Sequence, residues 1–267
     1  MISVIVPFYN SEPWLDRCCR SLAEQSGDFD FIMVDDFSTD RGREIVRNWC
    51  GLDPRFCLLT NWHSKGVSGA RNTGLDYATQ EPGWITFLDA DDELLPKAWR
   101  TFQSVIASDP SAVVHQMNHM RYYTATDRLV LKYTNEAGIY RINSLPQMWF
   151  GVWNKLYRSE FVKEIRFDER LQYGEDGLFN LECFAACAYI HHGERGLTAV
   201  KHRFDNKQSL SKSKDANGLL KQVHAYEEFL VRQTDPEIRA VTCKELSKLW
   251  GSKTYERCMR DIGPVTE

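Results

Sequence analysis

The sequence contains no Cys-x-x-Cys pair. Its eight cysteines are scattered, with Cys18 and Cys19 adjacent and Cys183 and Cys187 four apart. That spacing indicates neither a zinc site nor a disulfide framework, so buried, reduced thiols of a cytosolic protein are expected. Long apolar runs are also lacking. Cys183 to Ile190 is among the longest, far short of the ~20 residues of a membrane helix. There is no surplus of positive charge: 33 Lys and Arg stand against 37 Asp and Glu, a net charge of −4. A broad nucleic-acid-binding face is therefore not expected. The start, Ile2-Ser3-Val4-Ile5-Val6-Pro7, has no basic n-region and no small-residue cleavage site, so no signal peptide is expected. Two glycine signatures are missing too. No Gly-x-Gly-x-x-Gly follows the first apolar run, and Gly66-Val67-Ser68-Gly69-Ala70-Arg71 lacks the Gly-Lys-Ser/Thr ending of a P-loop.

What is present is enough for a substantial core. The 267 residues are 43% hydrophobic and 12% aromatic, which fits one large domain or a domain with an appended subdomain. Ser3–Phe8 is a continuous apolar run, as for a strand covered on both faces. Asn10-Ser11-Glu12-Pro13 reads as a helix start with a capping side chain and an early proline. The periodicity then predicts a strand at Phe29–Val34, a helix at Arg43–Cys50, a strand at Phe56–Thr60, a helix at Val67–Ala78 and a strand at Trp84–Leu88. This alternation is that of a parallel, doubly wound α/β sheet, whose ligands bind outside the carboxyl ends of the strands. Three of those ends are polar: Tyr9-Asn10, Asp35-Asp36 and Asp89-Ala90-Asp91.

The second half is less regular. Ala112–His119 and Arg128–Tyr133 read as strands, antiparallel to each other. Asp176–Ala188 reads as a helix, Ser209–Ala216 as a small polar loop that moves, and the chain from Leu219 as helical with a mixed-charge tail. Three stretches are expected: residues 1–100 as the ligand-binding half of a domain, 101–215 as its other half, and 216–267 as a helical extension.

The densest chemistry lies after the strand ending at Leu88, where Asp89, Asp91, Asp92 and Glu93 occupy four of five positions. Two like charges ~4 Å apart repel by roughly 4 kcal/mol at an effective dielectric near 20. Aspartates are hard oxygen ligands for Mg²⁺ or Mn²⁺, which bridge carboxylates to substrate phosphates. The alternative is a turn followed by a helix cap. On an extended strand, Asp89 and Asp91 would point the same way.

The set of motifs resembles glycosyltransferase family 2, inverting, nucleotide-sugar-dependent enzymes of the Rossmann-like GT-A fold. Ser3 to Asn10 resembles its opening strand. Val34-Asp35-Asp36-Phe37-Ser38-Thr39-Asp40 resembles its VDDGSTD element, with Phe37 in place of the usual glycine. Asn61, Gly66, Ala70-Arg71-Asn72 and Gly74 match a further segment, Phe87 to Asp92 the DxD region, and Asn154-Lys155-Leu156-Tyr157 and Glu175-Asp176 later elements. The resemblance implies a mainly parallel sheet with an acceptor-side subdomain and C-terminal helices. It implies nucleobase contacts at Pro7, Tyr9 and Asp36, with Arg71 near the nucleotide or else solvated on its helix. Asp91 is implied as the metal-bound carboxylate, and Asp89 as a contact to ribose or to the metal's water shell. Asp92 shares one of those roles or caps the next helix. Asp176 is implied as the base that deprotonates the acceptor, at a helix start that also suits an N-cap, with Glu175 near the acceptor. His202 is a further metal ligand or an ordinary histidine, and Lys207 with Ser209-Leu210-Ser211 resembles a loop over the diphosphate. Trp149, Trp153 and Tyr157 stack on acceptor sugars or belong to the core.

The implied function is transfer from a UDP-sugar to a saccharide, lipid-linked in bacterial surface-polysaccharide synthesis, with Mn²⁺ or Mg²⁺. A cytoplasmic location with peripheral contact at the inner face of the plasma membrane follows. Lys244, Lys248, Trp250, Lys253, Arg257 and Arg260 suit that contact, whereas interspersed Glu245, Glu256 and Asp261 suit a solvated helix. A sugar-phosphate nucleotidyltransferase shares sheet and acids but begins with a Gly-rich loop that Pro7-Phe8-Tyr9-Asn10 is not. A non-catalytic nucleotide-sugar-binding protein is the third class.

Overall fold

A computed structural model describes residues 1–132, 137–141, 151–187, 189–193, 198–204 and 216–250. Trp149 and Phe150, the segment from Lys207 to Ser211, the rest of the polar loop except Ala216, and Lys253, Glu256, Arg257, Arg260 and Asp261 lie outside the described residues. The chain begins β1 (Ile2–Phe8), α1 (Glu12–Ala23), β2 (Phe29–Asp35), α2 (Gly42–Leu52), β3 (Phe56–Thr60), α3 (Val67–Ala78) and β4 (Trp84–Phe87). These four strands are parallel in the order β3-β2-β1-β4. The direction of winding reverses between β1 and β4, which opens a crevice at their carboxyl ends.

The alternation of side chains along β1 explains why both faces are covered. Val4, Val6 and Phe8 pack with Leu15, Cys18 and Leu22 of α1 on one face, while Ile5 packs with Ala70 and Leu75 of α3 on the other. α1 does not take its cap from Asn10 or Ser11 as expected. The backbone N–H of Glu12 donates to Asp40 Oδ2 at 2.8 Å, and Asp40 Oδ1 accepts from Gly42 N at 2.9 Å, so one aspartate after β2 caps both α1 and α2. Asn10 instead ties that loop down, its side-chain oxygen accepting from Thr39 N at 2.8 Å.

Beyond β4 come β5 (Glu93–Leu94), α4 (Ala98–Ser108), β6 (Val114–Gln116), β7 (Asn118–Tyr123), β8 (Arg128–Lys132), β9 (Gly138–Tyr140), β10 (Lys155–Arg158), a single-turn α5 (Ser159–Val162), α6 (Glu175–Ala186), β11 (Ile190–His192) and β12 (Thr198–Phe204). β10 joins the main sheet antiparallel to β4, and β6, β11 and β9 complete eight strands. A second sheet runs β5-β12-β7-β8. The expected strand Ala112–His119 is therefore two strands. At Met117 the chain leaves the main sheet, its N–H donating to Asn154 O, and enters the second. The expected antiparallel pairing is that of β7 with β8. Helices α7 (Ala216–Arg232) and α8 (Pro236–Trp250) pack with α6. No helix among the described residues is long and apolar enough to cross a membrane.

Candidate active site

One end of the crevice is built on the strand ends of β1, β2 and β3. Pro7 is buried in β1 opposite Val34. Tyr9, one residue past β1, is 47% exposed, with Lys65 Nζ 4.5 Å over its ring. Asp36 is buried. Asn61 Nδ2 donates to its Oδ1 at 2.7 Å, and Gly66 N lies 2.9 and 3.1 Å from its two oxygens. Gly66 adopts φ of 131°, a conformation open to glycine, which aims its N–H at the carboxylate as α3 begins.

The other end is organised by Arg71 on α3, which is 3% exposed and so not a solvated helix arginine. Its Nη1 donates to Glu175 Oε1 at 3.0 Å and to Asp176 Oδ1 at 2.6 Å, and its Nη2 to Asp89 Oδ1 at 3.1 Å. Burial works against the guanidinium charge, but Asp176, Asp89 and Glu175 more than offset it and raise its pKa. Glu175, read from sequence as an acceptor contact, is 9% exposed and engaged with Arg71. Asp176 keeps 24% of its side chain exposed at the first turn of α6. Burial raises its pKa and Arg71 opposes the rise. The helix start is fixed from behind. Gly174 takes φ of 80°, a Cβ there would meet Gln222 of α7, and Gly174 O accepts from Tyr226 Oη at 3.1 Å.

The acidic run is a turn, not an extended strand. Asp92 N donates to Asp89 O at 2.9 Å, the closure of a β-turn, so the period of two does not apply and Asp89 and Asp92 converge. Carboxylate oxygens of Asp89 and Asp92 and a ring nitrogen of His202 lie within 4.8 Å of one another; Asp91 is not in that group. Asp92 does not cap the next helix, which starts at Ala98. It is fully buried, and both its oxygens are engaged: Oδ2 with His202 Nδ1 at 2.8 Å and Oδ1 with Arg203 N at 2.6 Å. Trp153 stacks on the same imidazole with centroids 4.5 Å apart. Burial alone lowers the His202 pKa, and Asp92 reverses this and raises it. Burial, with Asp89 next, raises the pKa of Asp91. Asp92 thus orients His202, while Asp89 and Asp91 sit on the accessible side of the turn.

Tyr157 belongs to the core, fully buried against Phe87 and Phe179. In the sequence Lys155 stands out only as part of the Asn154-Lys155-Leu156-Tyr157 motif. It is fully buried beside this corner, Nζ donating to Gly151 O at 2.7 Å and Asn154 Oδ1 at 3.1 Å, and desolvation brings its pKa down to about 7. The sequence signal was a lysine opening an apolar strand.

A family model described as "Glycosyl transferase family 2" matches residues 3–169, more than half of the chain. The chain belongs to glycosyltransferase family 2. Among its relatives, an uncharacterized glycosyltransferase, EpsJ of Bacillus subtilis, is 28% identical over 79% of the chain and 63% of its own length. The chain thus spans under two thirds of that relative. A GalNAc(5)-diNAcBac-PP-undecaprenol beta-1,3-glucosyltransferase of Campylobacter jejuni is 39% identical over 38% of the chain and 32% of its own length. A crystal structure of S. aureus TarS 1-349 in complex with UDP-GlcNAc superposes with a TM-score of 0.75 at 21% identity, covering 93% of this chain and 71% of that one. The fold of this family 2 chain is GT-A.

Proposed function

We propose that the chain transfers a sugar from a UDP-sugar to a saccharide acceptor with inversion at the anomeric carbon, in surface-polysaccharide synthesis. The observation that carries this reading is the Arg71 bridge. One buried guanidinium joins Asp89, in the acidic turn, to Asp176, at the opposite side of the crevice. A leaving-group corner and a base are thereby held in one rigid frame. Asp36 accepts from the nucleobase edge, its orientation fixed by Asn61 and Gly66. Tyr9 offers the base an aromatic face. Asp176 takes the acceptor hydroxyl proton, for which its raised pKa and partial exposure suit it. Arg71 holds that carboxylate in line.

A divalent cation, Mn²⁺ or Mg²⁺, fits the Asp89, Asp92 and His202 group, whose ligand atoms lie within 4.8 Å of one another, and Asp91 on the same turn would be a further carboxylate for it to recruit. When bound, it neutralises charge on the leaving diphosphate. The acceptor is a saccharide on a lipid carrier, as the Campylobacter relative's name describes for that enzyme. Such an acceptor brings the protein to the inner face of the membrane.

The test is a panel of UDP-sugars with Mn²⁺ or Mg²⁺, with and without a chelator, reading UDP release and product anomer. Chelator-sensitive UDP release with an inverted product is expected. Pyrophosphate release from a nucleoside triphosphate and a sugar phosphate, with no turnover of UDP-sugars, would replace this reading by a nucleotidyltransferase.

A further inference from the structure

One residue at the nucleotide end has no explanation in the packing of the fold. Phe37, directly after Asp36, has φ of 63°. In that region the Cβ of an L-residue crowds the following carbonyl, and a bulky side chain there is a genuine outlier. Glycine makes the same turn without strain. Burial does not offset the strain, because Phe37 is 46% exposed. Asn10, opposite it on the β1 side, also has positive φ, at 47°, but asparagine tolerates that conformation and its side chain fastens the Thr39 loop.

The position of Phe37 points to a ligand. Phe8 stands opposite Asp35, so Tyr9 and Phe37 leave neighbouring strands at one edge of the crevice, next to the Asp36 carboxylate. Tyr9 is 47% exposed as well. Trp62 is the third exposed aromatic at these strand ends, and its indole N–H is already committed to Asp76 Oδ2 at 3.2 Å. Two half-exposed rings flanking one acceptor carboxylate suit a flat, apolar-faced group with N–H donors on its edge, which describes a nucleobase.

We propose that Phe37 is a second aromatic contact for the nucleobase of the donor, beside Tyr9, and that it sets nucleotide affinity in this chain. The inference rests on the sugar-nucleotide reading above. The strained backbone persists because the turn at the end of β2 is fixed by Ser38 N donating to Asp35 Oδ1 at 2.9 Å and by the Asn10 contacts.

The experiment titrates UDP and UMP into the wild type and into Phe37→Gly, Phe37→Leu and Phe37→Tyr, with thermal melts as a folding control. Loss of one base–aromatic contact predicts about 10-fold weaker binding in the Gly and Leu variants, equal for UDP and UMP, and about wild-type binding in the Tyr variant. Phe37→Gly is expected to melt no lower than the wild type, since glycine relieves the strain. Gly and Leu variants that bind UDP within about 2-fold of the wild type overturn the inference and leave the sugar-nucleotide reading intact. A wild type that binds neither UDP nor UMP overturns that reading and the inference together.

Discussion

The two ends of the crevice hold their carboxylates by different means. Asp36 is caged by neutral donors, the Asn61 amide and the Gly66 backbone N–H. Glu175, Asp176 and Asp89 are held by one cation, Arg71, that is itself buried. A neutral cage fixes orientation, leaves the negative charge in place, and leaves oxygen lone pairs for a ligand. An ionic node makes each member depend on the others, because a charge left buried without its partner is strongly destabilising. The Asp36 end is therefore built to tolerate loss of a donor, and the Arg71 end is not.

Arg71→Met is the largest test of that contrast. It leaves Glu175, Asp176 and Asp89 facing one another without the cation that bonds all three, and should lower unfolding free energy by about 3–5 kcal/mol and abolish turnover. Arg71→Lys should recover little, since one ammonium cannot fork between three carboxylates. Denaturant midpoints read the first effect, and an Arg71→Met protein as stable as the wild type would break the comparison. Asn61→Ala should be milder. It removes one donor to Asp36 and the acceptor for Thr73 Oγ1, at about 1–3 kcal/mol, and should weaken UDP binding more than it slows the bound complex. A fall in turnover at saturating donor with unchanged UDP affinity would reverse the assignment of the two ends.

The smallest effect is expected away from both ends. His115 and His191 face each other in the main sheet with Nδ1 atoms 2.9 Å apart, and burial brings the His115 pKa down to about 3. Its folded value lies below the unfolded one near 6.5. The stability it contributes is therefore present above about pH 6.5 and is lost as pH falls toward 3. Between pH 7 and pH 6 this one group should contribute a loss of about 0.7 kcal/mol. Urea midpoints at the two pH values, wild type against His115→Gln, check this, and the difference should be the same in an Asn61→Ala background, because distant sites add.

Much of the first half was legible because strands buried on both faces read as unbroken apolar runs. The expected Phe56–Thr60 and Val67–Ala78 coincide with β3 and α3. The acidic turn was legible as a site but not as a shape, since strand period predicts Asp89 with Asp91 and the Asp92–Asp89 hydrogen bond brings Asp89 to Asp92. Asp40 as a double cap and Met117 as the exit from one sheet to another depend on contacts between elements, which local pattern does not carry. Arg71 shows this most clearly. Its partners Glu175 and Asp176 are more than a hundred positions away, as His202 is from Asp92. A helix arginine among small residues gives no local sign of such burial.

The most direct measurement pairs UDP titration with turnover in Asp176→Asn. The substitution keeps the side chain's shape and leaves Arg71 with Glu175 and Asp89, so the fold should hold. UDP should bind at about wild-type affinity while turnover of the preferred UDP-sugar falls by at least about 100-fold, the scale of a lost general base. Turnover close to the wild type in a variant that binds UDP normally would contradict the division of the crevice into a nucleotide end at Asp36 and a chemical end at Asp176.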